Sequence, residues 1–143
     1  MIDVNAPIIP YESMGGVKLY STIKDVKEII TGKNVETKVF HNTWIVYSID
    51  DSLELFFDLL TGKLFKIVTL GGYKGTLFGK IKVGMKSEEF LKIEPSFVYD
   101  DFEEIYETKK GVYIETEVVN DTAKWISIFV KEIDSESFRL GEW

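Results

Sequence analysis

The sequence predicts an α+β fold in which a single domain, residues 1–143, contains two tandem units, each a short helix packed on an antiparallel β-meander. Three observations support this fold class. Short β-rich runs alternate with turn-forming pairs, two segments show helical spacing, and the chain aligns with itself at a shift of about 64 residues. A chain of 143 residues with 45% hydrophobic residues is long enough to bury a substantial core.

Six runs rich in β-branched and aromatic residues predict the strands. In the first half these are residues 44–48, 53–59 and 64–70, and Thr61-Gly62 separates the last two. In the second half they are residues 102–107, 112–119 and 124–131, separated by Lys110-Gly111 and Asn120-Asp121. Such pairs are typical of tight turns between antiparallel strands. Each half is therefore expected to form a three-stranded meander.

Two segments carry apolar residues at spacings of three and four behind a Ser or Thr, which is typical of short helices. The first follows Ser21-Thr22 and ends before Gly32, and the second follows Ser87 and ends before Pro95. Their apolar positions are Ile23, Val26, Ile29 and Ile30 in the first, and Phe90, Leu91 and Ile93 in the second.

The self-alignment divides the chain into two halves, at about 13–72 and 77–133. A shift of 64 places residues 17–19 on 81–83 and Gly15 on Gly79. A shift of 61 places residues 63–67 on 124–128. Pattern, glycine and turn positions agree along the alignment, which favours an internal duplication.

One segment carries a family resemblance. Residues 79–90, GKIKVGMKSEEF, resemble the G-x-I-x-x-G-M-[ST]-x-x-E-V opening of the outer-membrane assembly lipoproteins of the BamE/SmpA type. The predicted layout is similar to that of the β-lactamase inhibitor protein, a tandem of helix-plus-sheet units. The resemblance implies a strand entering a short helix on an antiparallel sheet, and a function of binding other proteins. The chain departs from the lipoproteins in lacking a lipid-bearing cysteine. In the first-half copy of the segment, Tyr20 stands at the position that corresponds to Gly84.

Composition excludes several classes of function. Seventeen basic and 24 acidic residues give a net charge of −7, which disfavours binding to nucleic acids or anionic membranes. The absence of cysteine excludes disulfides, thiolate metal sites and thiol nucleophiles. His41 is the only histidine, so no two-histidine metal site can form, and no cofactor is expected. Residues 1–10 lack a signal-peptide pattern, which predicts a cytoplasmic protein.

Carboxylates with interleaved aromatic residues are the strongest candidate site. Acidic side chains steer a basic partner, and aromatic side chains supply much of the binding energy at protein interfaces. Neither cluster has the spacing of a calcium loop. The candidate protein-binding residues are Asp50, Asp51, Glu54, Tyr99, Asp100, Asp101, Glu103, Glu104, Tyr106 and Glu107, together with Tyr73 in the glycine-rich loop between the halves.

These observations favour a stoichiometric protein-binding module and not an enzyme. The most concrete form is an intracellular immunity or inhibitor protein that neutralises a toxin or enzyme, such as a basic toxin domain, by covering its surface. Two alternatives stay open: a small carboxylate-based enzyme that uses His41, and a small-ligand sensor with a pocket between the halves. The sequence leaves the oligomeric state undecided.

Overall fold

The computed structural model describes all 143 residues. Its main element is one antiparallel sheet of eight strands in the order β3-β4-β5-β6-β10-β9-β8-β7. These strands are β3 (Val35–Phe40), β4 (Trp44–Ile49), β5 (Leu53–Asp58), β6 (Leu64–Thr69), β7 (Val98–Asp100), β8 (Ile105–Thr108), β9 (Val112–Thr116) and β10 (Ala123–Phe129). A two-stranded sheet, β1 (Ser13–Met14) and β2 (Val17–Lys18), and three short helices, α1 (Lys27–Ile30), α2 (Ser87–Ile93) and α3 (Glu136–Arg139), complete the fold.

The predicted fold class was wrong, because the protein is mostly β and is not built from helix-on-meander units. The three helices contain only four, seven and four residues. Strands β6 and β10 pair with each other, with Ser127 opposite Val68 and Ile128 opposite Ile67, so one continuous sheet replaces the two expected sheets. The division into halves at 13–72 and 77–133 stays a prediction.

The first predicted helix shrinks to one turn for a local reason. The backbone N–H of Thr22 donates to Oδ2 of Asp25 at 2.9 Å, and the N–H of Asp25 donates to Oγ1 of Thr22 at 3.2 Å. These reciprocal bonds are those of a capping box, but the N–H groups of Asp25, Val26 and Lys27 then donate to carbonyls only three residues back, so the chain forms tighter turns there instead of α-helix. Only residues 27–30 then continue as helix before Gly32.

The six predicted strands lie close to where they were expected, although the runs at 102–107 and 112–119 each form a shorter strand. The run expected at 102–107 begins as a strand only at Ile105, because Oδ1 of Asp100 accepts from the N–H groups of Phe102 and Glu103 and holds a turn there. The two sheet edges, β3 and β7, were not predicted. Their side chains are almost all exposed, so neither edge shows the alternating burial that marks a strand.

One face of the sheet forms the core. Buried side chains from the central strands, Leu55, Phe57, Ile67, Ile114, Ile126 and Ile128, point to this face. The N-terminal residues, the loop before α2 and α2 itself cover it through Ile8, Met14, Leu77, Ile81 and Phe90. None of the helices has the length and apolar character needed to span a membrane. The opposite face of the sheet is called the outer face below.

The C-terminal segment, residues 131–143, covers only part of the outer face. The ring of Phe138 lies 5.2 Å from that of Phe65, and Trp143 lies 5.3 Å from Phe138, over strands of the β3–β6 side. Lys63 Nζ donates a hydrogen bond to the carbonyl of Trp143, which anchors the segment. The outer face around β6, β10 and β9 is left uncovered.

Candidate functional site

The uncovered part of the outer face forms a depression of about 550 Å³ over strands β5, β6, β10, β9 and β8. We call this surface the open face. Its centre is lined by Glu54, Phe56, Lys66, Tyr113, Glu115, Trp125 and Phe129, and its rim by Glu103, Ile105, Glu107, Ile133 and Asp134.

Strand alternation and register explain how the depression forms. On β9, Val112 and Ile114 are fully buried in the core, so Tyr113 and Glu115 point to the open face. At the centre, the small side chain of Ser127 lies between Val68 on β6 and Tyr113 on β9. Larger side chains surround this floor, and the difference in size produces the hollow.

The aromatic residues of the open face are held by stacking and by cation–π contacts. The rings of Tyr113 and Phe129 are stacked at 5.5 Å with an interplanar angle of 30°. The ammonium of Lys66 lies 4.6 Å from the ring centre of Phe56 and 5.3 Å from that of Tyr113. Lys124 lies 4.2 Å from the ring centre of Trp125. These contacts restrict the aromatic side chains before any partner arrives, which lowers the entropy cost of binding.

The open face is strongly acidic. Five carboxylates line it, from Glu54, Glu103, Glu107, Glu115 and Asp134, against two ammonium groups, those of Lys66 and of Lys124 beside Trp125. None of the five belongs to the three ion pairs of the protein, which are Lys110–Glu94, Lys124–Glu117 and Arg139–Glu136. The surface therefore presents unpaired negative charge beside aromatic rings.

Glu115 is the half-buried carboxylate of this group. Burial raises the pKa of its side chain above the ordinary value, and the positive charges of Lys124 and Lys66 only partly offset this effect. A cation placed against Glu115 would relieve the cost of burying its charge.

The predicted site residues fall into separate places. Glu54, Glu103 and Glu107 line the open face. Tyr99, Glu104 and Tyr106 line an adjoining depression of about 570 Å³, which shares Glu115 and Trp125 with the open face. Asp100 holds the β7–β8 turn, and Asp101 is exposed in that turn. Asp50 and Asp51 lie elsewhere, beside Ile29, Gly72 and the N-terminal residues.

Tyr73 was wrongly predicted to be an exposed contact residue. Its side chain is 3% exposed. Its hydroxyl donates to the carbonyl of Ala6 at 2.5 Å and accepts from the N–H of Gly15 at 2.8 Å. Tyr73 therefore fixes the N-terminal segment to the body of the protein.

Sequence reasoning missed most of the aromatic residues of the site. Phe56, Tyr113, Trp125 and Phe129 are all absent from the predicted protein-binding residues. The alternation of β9 was the available signal, because it placed Tyr113 and Glu115 together on the face opposite Val112 and Ile114. That Phe56 and Trp125 share this face depends on the pairing of β6 with β10, which is not visible in the sequence.

The structure assembles no metal-binding group of three or more His, Asp or Glu side chains. His41 lies in the β3–β4 turn, and its ring makes an edge contact with Trp44 at 5.9 Å between centres. No nucleophile or carboxylate is hydrogen-bonded to it, so the side-chain arrangement of a catalytic triad is not present.

No family model and no curated protein matches the sequence. A solved structure of similar fold is that of a cysteine-rich secretory protein from Staphylococcus aureus subsp. aureus Mu50, with a TM-score of 0.57 and 12% sequence identity. The match covers 92% of this chain and 50% of the other, so the chain spans about half the length of that protein. At this identity the likeness shows a shared fold alone.

Proposed function

We propose that the protein binds another protein stoichiometrically through the open face. One observation carries the proposal. The C-terminal segment covers aromatic residues on one part of the outer face, whereas Tyr113, Trp125 and Phe129 on the adjoining part stay partly exposed and line an open depression. A surface of preordered aromatic side chains ringed by charge has the composition of an interface centre with a polar rim.

The charge of the open face selects a basic partner. Five carboxylates outside any ion pair, against the two ammonium groups of Lys66 and Lys124, attract cationic surfaces and repel acidic ones. Lysine or arginine side chains of the partner would meet the rim, and an apolar side chain would fill the hollow above Ser127 and Val68, which are both buried. This arrangement favours rapid association that weakens as salt is added.

The most concrete form of this function is an inhibitor or immunity protein that acts in the cytoplasm. It would neutralise a basic toxin or enzyme by covering its surface. The net charge of −7 supports this form, because it favours association with a basic partner.

The test is capture of the partner from native extract at low and high salt, with identification by mass spectrometry. The wild-type protein is compared with Trp125→Ala and with a control, Phe78→Ala, which removes another partly exposed aromatic ring outside the open face. We expect one stoichiometric partner that is lost at high salt and lost with Trp125→Ala, but retained by Phe78→Ala. A partner retained equally by both variants, or no partner at either salt, would refute the proposal.

A further inference from the structure

Strand β3 is an open edge of the eight-stranded sheet. It pairs with β4 on one side and has no neighbour on the other. Five of its six residues are exposed, and Val39 is 58% exposed. An edge of this length without proline is a template for pairing with another strand.

The backbone pattern shows which groups the edge presents. The carbonyl of Asn34 accepts from the N–H of Asp50 at 3.0 Å, at a position that continues the β3–β4 register. Hydrogen-bonded and non-hydrogen-bonded pairs alternate along an antiparallel ladder, so the even-numbered residues of β3 bond to β4. Val35, Thr37 and Val39 therefore direct their N–H and C=O groups outward.

The side chains of β3 are complementary to a second copy of the same strand. When two copies run antiparallel about a two-fold axis at Thr37, Glu36 lies opposite Lys38 of the other copy, and Lys38 lies opposite its Glu36. Val35 lies opposite Val39 in the same way, and Thr37 lies opposite Thr37. Opposite charges, β-branched pairs and Thr–Thr pairs are favourable cross-strand neighbours. Glu36 and Lys38 have neutral neighbours on β4, Ser48 and Val46, and take part in no ion pair within the chain.

We propose that two copies of the protein associate through β3, in antiparallel register centred on Thr37, to form one sheet of sixteen strands. This register keeps the outward backbone groups of Val35, Thr37 and Val39 opposite one another, so both strands satisfy their free N–H and C=O groups. The inference is independent of the partner bound at the open face.

The opposite edge of the sheet does not offer the same arrangement. Strand β7 has only three residues, Val98, Tyr99 and Asp100, and Asp101 follows directly. Two antiparallel copies of β7 centred on Tyr99 would place Asp100 opposite Val98, so this edge offers no pair of opposite charges to stabilise a register. The proposal therefore applies to β3 alone.

Charge exchange tests the register. Sedimentation velocity across a concentration series is expected to show a reversible dimer for the wild-type chain. Glu36→Lys places lysine opposite lysine twice and should raise the dimer dissociation constant about tenfold or more. The double variant Glu36→Lys with Lys38→Glu restores both opposite-charge pairs and should restore the dimer. A wild-type monomer at every concentration, or a double variant as weak as Glu36→Lys, would overturn the proposal.

A single introduced cysteine gives a second test, because the natural chain contains none. In the proposed register the two Thr37 Cα atoms lie about 5.5 Å apart, within the range of a disulfide. Thr37→Cys should cross-link two chains under mild oxidation. Val39→Cys is the matched control, since its two copies would lie roughly 13 Å apart along the strands. Equal cross-linking of the two variants would contradict the register even if a dimer forms.

Discussion

The indole N–H of Trp143 donates a hydrogen bond of 2.7 Å to Oδ2 of Asp58, 85 positions earlier in the chain. The carboxylate of Asp58 also accepts from the backbone N–H of Leu60 at 2.9 Å, and the side chain is only 3% exposed. The ring of Trp143 contacts Tyr20 as well, at 6.1 Å between centres. A single residue therefore ties the C-terminal segment to β5 and to the loop before α1.

Replacing Trp143 is expected to destabilise the protein. Trp143→Ala removes the aromatic packing against Phe138 and leaves Asp58 without one of its donors, which should lower the free energy of unfolding by about 2–4 kcal/mol. Trp143→Phe keeps a ring and should cost less. Urea denaturation followed by circular dichroism measures both, with Leu140→Ala, a 54% exposed position, as the control. A loss from Trp143→Ala no larger than that of the control would contradict this role.

Removing the hydroxyl of Tyr73 should loosen the N-terminal segment. Tyr73→Phe leaves the N–H of Gly15 and the carbonyl of Ala6 unpaired inside the protein, at a cost of about 1–3 kcal/mol. Hydrogen exchange should become faster at residues near Gly15 while the sheet stays protected. Unchanged exchange there would show that the two bonds are replaced by others.

The same tyrosine makes a prediction about alkaline pH. Burial raises the pKa of the Tyr73 hydroxyl above its ordinary value. The neutral form is therefore favoured in the folded state, and its contribution to stability is complete below the unfolded pKa of about 10 and declines as pH rises through the folded pKa. The difference in stability between wild type and Tyr73→Phe should be constant through neutral pH and shrink above pH 10.

The ionised side chain of Glu115 is expected to lower the stability of the protein and to strengthen its binding to a basic partner. Because its folded pKa is raised, the stability linked to its protonated form is present in acid and is lost as pH increases through that raised pKa. Glu115→Gln is thus expected to raise the melting temperature at neutral pH, with a gain that disappears in acid, and to weaken capture of a basic partner. Glu88→Gln, an exposed change on α2, is the control for net charge. If both variants shift the melting temperature equally, the burial of Glu115 is not the cause.

Gly111 should tolerate alanine less well than Gly62 does. Both residues have positive φ, +84° and +71°, so alanine strains the backbone at each. A Cβ at Gly111 would also lie 2.5 Å from the ring of Tyr11, whereas a Cβ at Gly62 meets nothing within 4 Å. Gly111→Ala should therefore cost about 1–3 kcal/mol more than Gly62→Ala in urea denaturation. Similar losses would mean that Tyr11 moves aside without cost.

Local patterns predicted the central strands, because those strands bury one face and carry strong turn signals. Tyr113 and Glu115 could be assigned to one face from alternation alone. The edge strand β3 was missed although Val35, Thr37 and Val39 alternate with Glu36 and Lys38, because both of its faces are exposed and neither is strongly apolar. The helical spacing at residues 23–30 yields only one α-helical turn, because the backbone N–H groups of Asp25, Val26 and Lys27 bond three residues back, which a pattern of apolar residues does not specify.

The candidate site was predicted in its charge but not in its aromatic centre. Glu54, Glu103 and Glu107 stood out as acidic runs, and the structure places them around one depression. The three glutamates surround the same depression only because β6 pairs with β10, which also places Lys66 opposite Phe129. No local feature of either segment specifies that partner, so the composition of the open face could be read only from the assembled sheet.

The β6–β10 pairing also has a consequence for how the chain folds. Every other ladder of the sheet joins consecutive strands, whereas residues 66–68 pair with residues 127–129, about 60 positions later. Hairpins between consecutive strands close quickly, but a contact at this separation carries a larger loop-closure entropy. The buried bond from the N–H of Ile126 to Oγ1 of Thr69, 2.9 Å long, forms only when that closure occurs. The joining of β6 to β10 thus carries the largest loop-closure cost among the ladders of the sheet, and before it forms neither strand has this neighbour to cover its edge.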